Sequence, residues 1–564
     1  MGEITMAFSF DLWEDAASST DRMPAVLARY QADRESLDRL YAAPYSPRRR
    51  ERYRTFFAAW QEILNALPFD ELSRSDRADW LLFRNLLERE RRRLDRQARQ
   101  FAEIEPLLPF ALDLIALEEE RRRMEDAQAD AIAERLHRAQ EKVRAMRAAL
   151  EAQRNKDEPD TSQRPTVANR AAETLDRLRK MLEEWFGFYN GYDPLFTWWV
   201  EKPYQALMQS LQEYAGFLRK ELAGAEDEDA IIGDPIGREA LLEELEHALI
   251  PYTPEELIAL AGREQDWCLA ELRRAAEEMG HGEDWRAALE QVKADHVAPG
   301  AQPALVRDLA REAIAFVTAQ DLVTVPPLAE ECWRMEMMAP EKQKVNPFFL
   351  GGETITVSFP TNVMEHPQKR MSLRGNNRHF ARATVQHELI PGHYMQQFSQ
   401  ERWRPYRRIF FTPFWTEGWT LHWEMLLWDL GFPRTPQERI GMLFWRLHRC
   451  ARVVFSLGFH LGQVSPQECV EMLVNEVGHE RENAVAEVRR SFGGDYDPLY
   501  QCAYLIGGLQ VRALYRELVG SGQRTPRAFH DAFLRENCMP IAVLRALLAD
   551  LPLERDFRGD WRFA

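Results

Sequence analysis

One short segment constrains this chain more than any other: Gln386-His387-Glu388-Leu389-Ile390-Pro391-Gly392-His393. It reads as helix up to Pro391, and Pro391 cannot donate a backbone hydrogen bond to the carbonyl of His387. Gly392 tolerates dihedrals that other residues avoid, so the helix must bulge or break at Pro391-Gly392. That break matters chemically. Imidazole nitrogen is a favoured zinc ligand, and a carboxylate beside it can take a proton from metal-activated water. The usual pattern places two histidines at i and i+4, on one helical face. His387 and His393 are six apart, roughly 120° apart on a regular helix, and a helix that swells or breaks at Pro391-Gly392 can bring them together.

A catalytic zinc takes three protein ligands and keeps one position open. Thr412-Pro413 opens a further helix carrying Glu417 and Glu424, seven apart and so on one face of an aromatic, apolar segment. A carboxylate there is costly unless paired or bound to metal. Glu417 is the expected third ligand, with Glu424 as the alternative or as a group orienting a ligand from behind. His422, one residue on from Leu421, faces away from Glu417 and reads as structural. Glu388 is the expected general base. Tyr504 and His460 are the candidates for stabilising an oxyanion. Arg512 and Arg516, following Tyr504 at helical spacing, are candidate anchors for a substrate carboxylate.

The rest of the chain is read around this segment. Up to about residue 312 the pattern is helical, as in Asp79–Gln97 and Ala127–Gln153, with exposed loops expected at 155–165 and 226–237. The runs Arg48-Arg49-Arg50 and Arg121-Arg122-Arg123 lie beside glutamates and read as solvated helix faces with i,i+4 pairing. Thr253-Pro254, Thr435-Pro436 and Ser465-Pro466, each with Glu at the third helical position, are helix starts. Near residue 320 the texture changes. Leu322-Val323-Thr324-Val325 and Thr354–Phe359 read as strands, predicting a small sheet just before His387.

Composition narrows the class. There are 73 basic against 90 acidic residues among 564, a net charge of −17, which argues against a nucleic-acid partner. No apolar run approaches the roughly 20 residues of a membrane span. The opening Met1-Gly2-Glu3-Ile4-Thr5-Met6 lacks a signal-peptide pattern and the Ser or Thr of a myristoylation site. Six dispersed cysteines without a C-x-x-C pair fit reduced, mostly buried thiols, and the expected location is the cytoplasm.

Three motifs together carry a family resemblance. His-Glu-x-x-Pro-Gly-His-x-x-Gln at 387–396, Glu-Gly-Trp-x-Leu-x-x-Glu at 417–424 and Tyr-x-x-Gly at 504–507 resemble the bacterial domain-of-unknown-function 885 family. Pro235–Glu239 and Phe529-His530-Asp531 resemble its flanking segments. That family is similar to helical gluzincin peptidases, which implies zinc, a His387-His393-Glu417 ligand set and a short peptide substrate. Dipeptidyl peptidase III is a parallel, its zinc motif also carrying an insertion between the histidines. Two departures stand out: Pro498-Leu499-Tyr500 where the family tends to have Pro-Gly-Gln, and Ser456 where an aspartate commonly precedes the later histidine, here His460. Both bear on substrate preference and on the roles of His460 and Tyr504.

The expected fold is mainly α, a helical zincin-like metallopeptidase with a small mixed or antiparallel sheet beside the active-site helix and a deep cleft. Residues 1–312 would form a helical cleft wall and 313–564 the catalytic region. A rival reading is a helical-bundle dimetal carboxylate protein, because Glu244-x-x-His247 and Glu476-x-x-His479 match the element such sites use. A second rival is a peptide-binding relative without turnover.

Overall fold

The structure is a computed structural model and describes residues 21–154, 165–225, 230–343, 346–493 and 496–564. Residues 1–6, residues 155–164 of the loop expected at 155–165 and residues 226–229 of the loop expected at 226–237 lie outside them. The chain divides into two compact units, Met1–Asp234 and Pro235–Ala564.

The first unit is built wholly of helices, among them Pro47–Ala66, Arg74–Ile104, Ala129–Arg154, Pro165–Tyr189 and Pro194–Phe217. One core runs through it, formed by residues such as Phe110, Leu136, Leu178, Trp185 and Tyr214. The arginine runs sit on helix faces as expected. Arg121 and Arg122 both bond Glu118 at 2.6 Å, one at i,i+3 and one at i,i+4.

The second unit holds the segment around His387, and it begins at Pro235 rather than near residue 312. The physical reason is that the helices Pro254–Glu278 and Gln302–Ala319 pack on the helices around His387. The Arg446 guanidinium, on Pro436–His460, lies over the Trp267 ring at 4.1 Å and bonds Glu264 at 2.6 Å. Arg382, on Arg378–Glu388, takes Glu312 in a two-point bond at 2.7 and 2.8 Å. Each predicted helix start is present. Thr253, Thr412, Thr435 and Ser465 all cap with their hydroxyls, and Thr253 and Ser465 complete capping boxes.

Strand is scarce among the described residues. Arg334–Met337 pairs in parallel with Thr354–Val357, and Leu350 bridges Thr356 antiparallel, so the element is mixed; it precedes the His387 helix with one helix, His366–Gly375, between them. Leu322–Val325 is not a strand. Its backbone is held by side chains instead: Asp531 accepts from the Thr324 amide at 2.9 Å and its hydroxyl at 2.6 Å, while His530 Nδ1 meets the Leu322 carbonyl at 2.7 Å. With its polar groups satisfied this way, the segment needs no ladder.

Two helix crossings position the site. Pro413–Asp429 is buried along nearly its whole length, with Trp415, Trp419 and Trp423 inside, as expected of a helix apolar all round. It meets Tyr500–Leu518 backbone to backbone: a Cβ on Gly507 would lie 2.4 Å from the Phe414 carbonyl oxygen and 2.9 Å from Gly418 Cα. In the second crossing Gly441 abuts the His379 backbone, Phe380 stacks on Phe444 at 3.9 Å, and Trp445 Nε1 donates to the Phe380 carbonyl at 3.2 Å. Gly507→Ala therefore forces two helices apart and is expected to destabilise the protein by about 1–3 kcal/mol in urea unfolding. Gly262→Ala, on a helix with open space around that position, is expected to stabilise by about 0.5–1 kcal/mol. Equal effects of the two changes would show that the crossing does not depend on glycine.

Candidate metal centre

The helix Arg378–Glu388 ends one residue after His387, and a new helix, His393–Gln400, begins at the second histidine. The Pro391-Gly392 irregularity is a complete break rather than a bulge. Leu389 leaves helical dihedrals at φ −107°, ψ −110°, the Ile390-Pro391 bond is cis, and Gly392 folds back on the helix end. A Cβ on Gly392 would stand 1.8 Å from the His387 carbonyl oxygen and 2.5 Å from that of Gln386, so only glycine fits. Trp419 Nε1 donates to the Pro391 carbonyl at 2.8 Å, and Gln396 Nε2 to the Trp415 carbonyl at 3.2 Å. Thus the buried helix Pro413–Asp429 clamps the break. The outcome is that the His387 and His393 rings lie 4.9 Å apart, nearly perpendicular.

Ligand-capable atoms of His387, Glu388 and His393 all lie within 4.8 Å of one another, the one such trio of His, Cys, Asp or Glu side chains among the described residues. Glu417 reaches the same centre from another helix. Its Oε2 is 3.2 Å from His393 Nε2 and 3.7 Å from His387 Nε2, buried and with no hydrogen-bond donor, while Oε1 accepts from the Tyr500 hydroxyl at 2.7 Å. Of the two glutamates, Glu417 has the free oxygen aimed at both imidazoles. Glu424 is committed elsewhere: Oε1 faces His387 Nδ1 at 2.7 Å and Arg449 Nη2 at 3.2 Å. A carboxylate only accepts, so Nδ1 carries a proton and Nε2 is the nitrogen that faces His393 and Glu417, the one free to serve as a ligand when a cation is bound. Two imidazole nitrogens and one carboxylate oxygen converging in this way could hold a divalent cation.

The electrostatics favour positive charge at the centre. Burial alone would depress the His387 pKa, but Glu417, Glu424 and Glu388 outweigh it and lift it to about 9. Burial would raise Glu417, and His393 and His387 instead hold it well below the usual carboxylate range. Glu424 is likewise held low by Arg449 and His387 against the effect of burial.

Around the cluster opens a cavity of about 320 Å³, lined by Phe348–Gly352, Glu388, Gln397, Arg449, Arg452, Arg490, Tyr496, Tyr500 and Tyr504 among others. Gly351 admits Glu388, since a Cβ there would meet Glu388 Oε2 at 2.4 Å. Tyr504 is buried with its ring 6.2 Å from the His387 ring and nearly parallel to it, and Arg490 Nη2 donates to its hydroxyl at 3.4 Å. Burial pushes the Tyr504 phenol well up, so it stays a protonated donor.

Three expected site residues are not brought here. His460 lies about 12 Å along its helix beyond Arg452 and packs against Phe459 and Phe492. With no charged partner, its burial holds the ring's pKa down at about 4. Arg512 has run about 12 Å past Tyr504 and pairs with Asp429 at 2.7 Å, and Arg516 is exposed. Neither arginine lines the cavity. His422 is structural, its Nε2 2.9 Å from His530 Nε2. Of the rival dimetal elements, Glu476 is exposed and His479 follows the helix break at Gly478. Neither they nor Glu244 and His247 form a ligand cluster among the described residues.

Sequence reasoning missed Tyr500, Arg449, Arg452 and Arg490. Two of the signals were present. Tyr500 precedes Tyr504 by four residues and so shares its face. Arg446, Arg449 and Arg452 recur every third residue in an otherwise apolar helix.

The chain belongs to a family of bacterial proteins of unknown function, DUF885, whose family model matches residues 27–548. Among solved structures it is similar to a "putative lipoprotein of unknown function" from Shewanella oneidensis, at 16% identity and a TM-score of 0.67, covering 93% of this chain and 99% of that one. It is also similar to a "putative lipoprotein" from Colwellia psychrerythraea, at 14% identity and a TM-score of 0.58, covering 94% and 98%. At these identities the likeness is one of fold. A search of curated proteins finds no match. No described helix is long and apolar enough to cross a membrane.

The raised His387 pKa has a measurable consequence in chelator-treated protein. A folded-state pKa above the unfolded value of about 6.5 gives stability that is complete below 6.5 and lost as pH rises through about 9. Chemical denaturation of chelator-treated protein should show that loss, and Glu424→Gln should shrink it. A flat profile between those pH values in the parent protein contradicts the assignment of charge.

Proposed function

We propose that this chain is a zinc-dependent metallopeptidase that hydrolyses peptide bonds in short peptides. One observation carries the reading: the two imidazoles and the unbonded Glu417 Oε2 converge on one point, with Glu424 behind His387 and Glu388 beside it. The donor set fits zinc, which accepts two nitrogens and a carboxylate oxygen and keeps a fourth position open. When bound, zinc supplies a Lewis acid and lowers the pKa of water.

His387, His393 and Glu417 would hold the ion. Tyr500 fixes the Glu417 carboxylate through Oε1, and Glu424 fixes the His387 ring through Nδ1. Glu388 takes a proton from the attacking water and delivers it to the leaving amine nitrogen. Tyr504 donates to the developing oxyanion. Arg490 donates to the phenolic oxygen, which leaves the phenol proton free for that bond.

The test is a peptide-library digest read by mass spectrometry, with and without a chelator, alongside metal analysis. About one zinc per chain is expected, with cleavage abolished by the chelator. Glu388→Gln should keep the zinc while hydrolysis falls by roughly 10²–10⁴-fold. Parent-level cleavage by that variant removes Glu388 from the role of base.

Tyr504→Phe tests the oxyanion contact separately. It should lower kcat by roughly 10²–10³-fold with zinc content unchanged. An unchanged kcat would leave the oxyanion to another donor.

A further inference from the structure

Three guanidinium groups line the cavity, and they are not equivalent. Arg449 is neutralised from behind by Glu424 at 3.2 Å. Arg452 is neutralised by Glu487 at 2.7 Å, a fully buried carboxylate that also accepts from Gln501 at 3.1 Å. Arg490 has no carboxylate within ion-pair distance among the described residues. Its Nη2 makes a bond of 3.4 Å to the Tyr504 hydroxyl, its guanidinium lies 4.9 Å from the Tyr496 ring centre, and its Nε is buried with no partner.

Glu487, three residues earlier on the same helix, acts on Arg490 only through space while its Oε1 bonds Arg452, so the Arg490 fork itself is unpaired, and the cavity beside it is where a carboxylate can dock. The planar fork of guanidinium matches a carboxylate in two-point geometry. Tyr496, Tyr500 and Tyr504 form an uncharged wall on this side, with ring centres 4.2 and 6.0 Å apart in sequence, so no acidic group competes for the fork there. The acidic residues of the cavity are Glu388, in the cluster with His387 and His393, and Glu417, whose Oε2 faces both imidazoles. Position adds a constraint. The Tyr504 side chain bridges the His387 ring on one side and Arg490 on the other. A group held by Arg490 would therefore sit beside the Tyr504 hydroxyl, the donor proposed for the oxyanion, and so next to the reacting carbonyl.

We infer that Arg490 is the recognition site for a carboxylate on a residue flanking the scissile bond. The substrate class is then a short peptide with a carboxylate next to the cleaved amide, either its C-terminal α-carboxylate or an Asp or Glu side chain. This rests on the metallopeptidase reading for the substrate, and on a guanidinium fork with no direct ion pair among the described residues for the carboxylate.

Matched peptides test it on the zinc-loaded protein. One pair differs only in a free C-terminal carboxylate against a C-terminal amide. A second pair, both amidated, differs only in Glu against Gln beside the cleaved bond. The parent should prefer the charged member of one pair by roughly 10–100-fold in kcat/KM, the preference residing in KM, and the pair that shows it identifies the source. Arg490→Gln should bring that ratio close to one, and Arg490→Lys, which keeps the charge but not the fork, should reduce it several-fold. Ratios near one for both pairs in the parent overturn the inference, as does a preference that survives in Arg490→Gln. If Arg490→Gln does not fold, an undiminished preference in Arg490→Lys overturns it. If no peptide is cleaved, the metallopeptidase reading fails, and calorimetric binding of the same pairs decides this one. Tighter binding of a carboxylate peptide that Arg490→Gln equalises upholds the subsite, and equal binding in the parent removes it.

Discussion

The structure around the candidate centre depends on one buried hydrogen bond, His387 Nδ1 to Glu424 Oε1. Glu424 lies in a helix of tryptophans and leucines where an isolated carboxylate could not stay ionised. It stays so because His387 and Arg449 both donate to it, and that commitment fixes which nitrogen of His387 faces His393 and Glu417. Turning the ring would break this bond and leave buried Glu424 with Arg449 as its remaining donor. The Gly418–Gly507 crossing presses Tyr500 and Tyr504 against the same centre from the other side.

Buried charge is otherwise arranged in compensated pairs. Arg452 with Glu487, Arg449 with Glu424 and Arg382 with Glu312 each place a guanidinium against a carboxylate. Such pairs add little net stability, because desolvation of both ions offsets their attraction, but removing one partner is costly. Their contribution here is positional. They hold a shell of fixed side chains around a cavity whose own polar groups, Glu388, Glu417 Oε2 and Arg490, are left with bonding capacity unused.

Much of this was legible in the sequence, and the reason is local. Pro391 and Gly392 dictate a break whatever the surroundings, so the juxtaposition of His387 and His393 follows from steric rules at two residues. The proline-led helix starts and the apolar helix carrying Glu417 and Glu424 were equally readable. Leu322–Val325 misled because strand propensity says nothing about whether a neighbouring Asp531 and His530 will satisfy the backbone first. His460, Arg512 and Arg516 misled for a different reason. Each lies on a helix that does reach the site, but about 12 Å (His460, Arg512) or about 18 Å (Arg516) beyond the residue that touches it, and helical spacing gives the face without giving the distance. Arg490 sits on a different helix, Arg481–Phe492, and only the packing of that helix reveals its place.

The central claim is that three named atoms share one ion. Anomalous diffraction at the zinc edge from crystals of the zinc-loaded protein tests it most directly. The account predicts a single strong peak about 2.0–2.2 Å from His387 Nε2, His393 Nε2 and a Glu417 carboxylate oxygen, with Glu424 still on His387 Nδ1. A peak bonded to Glu424 in place of Glu417, two peaks sharing bridging carboxylates, or none at this cluster would contradict it.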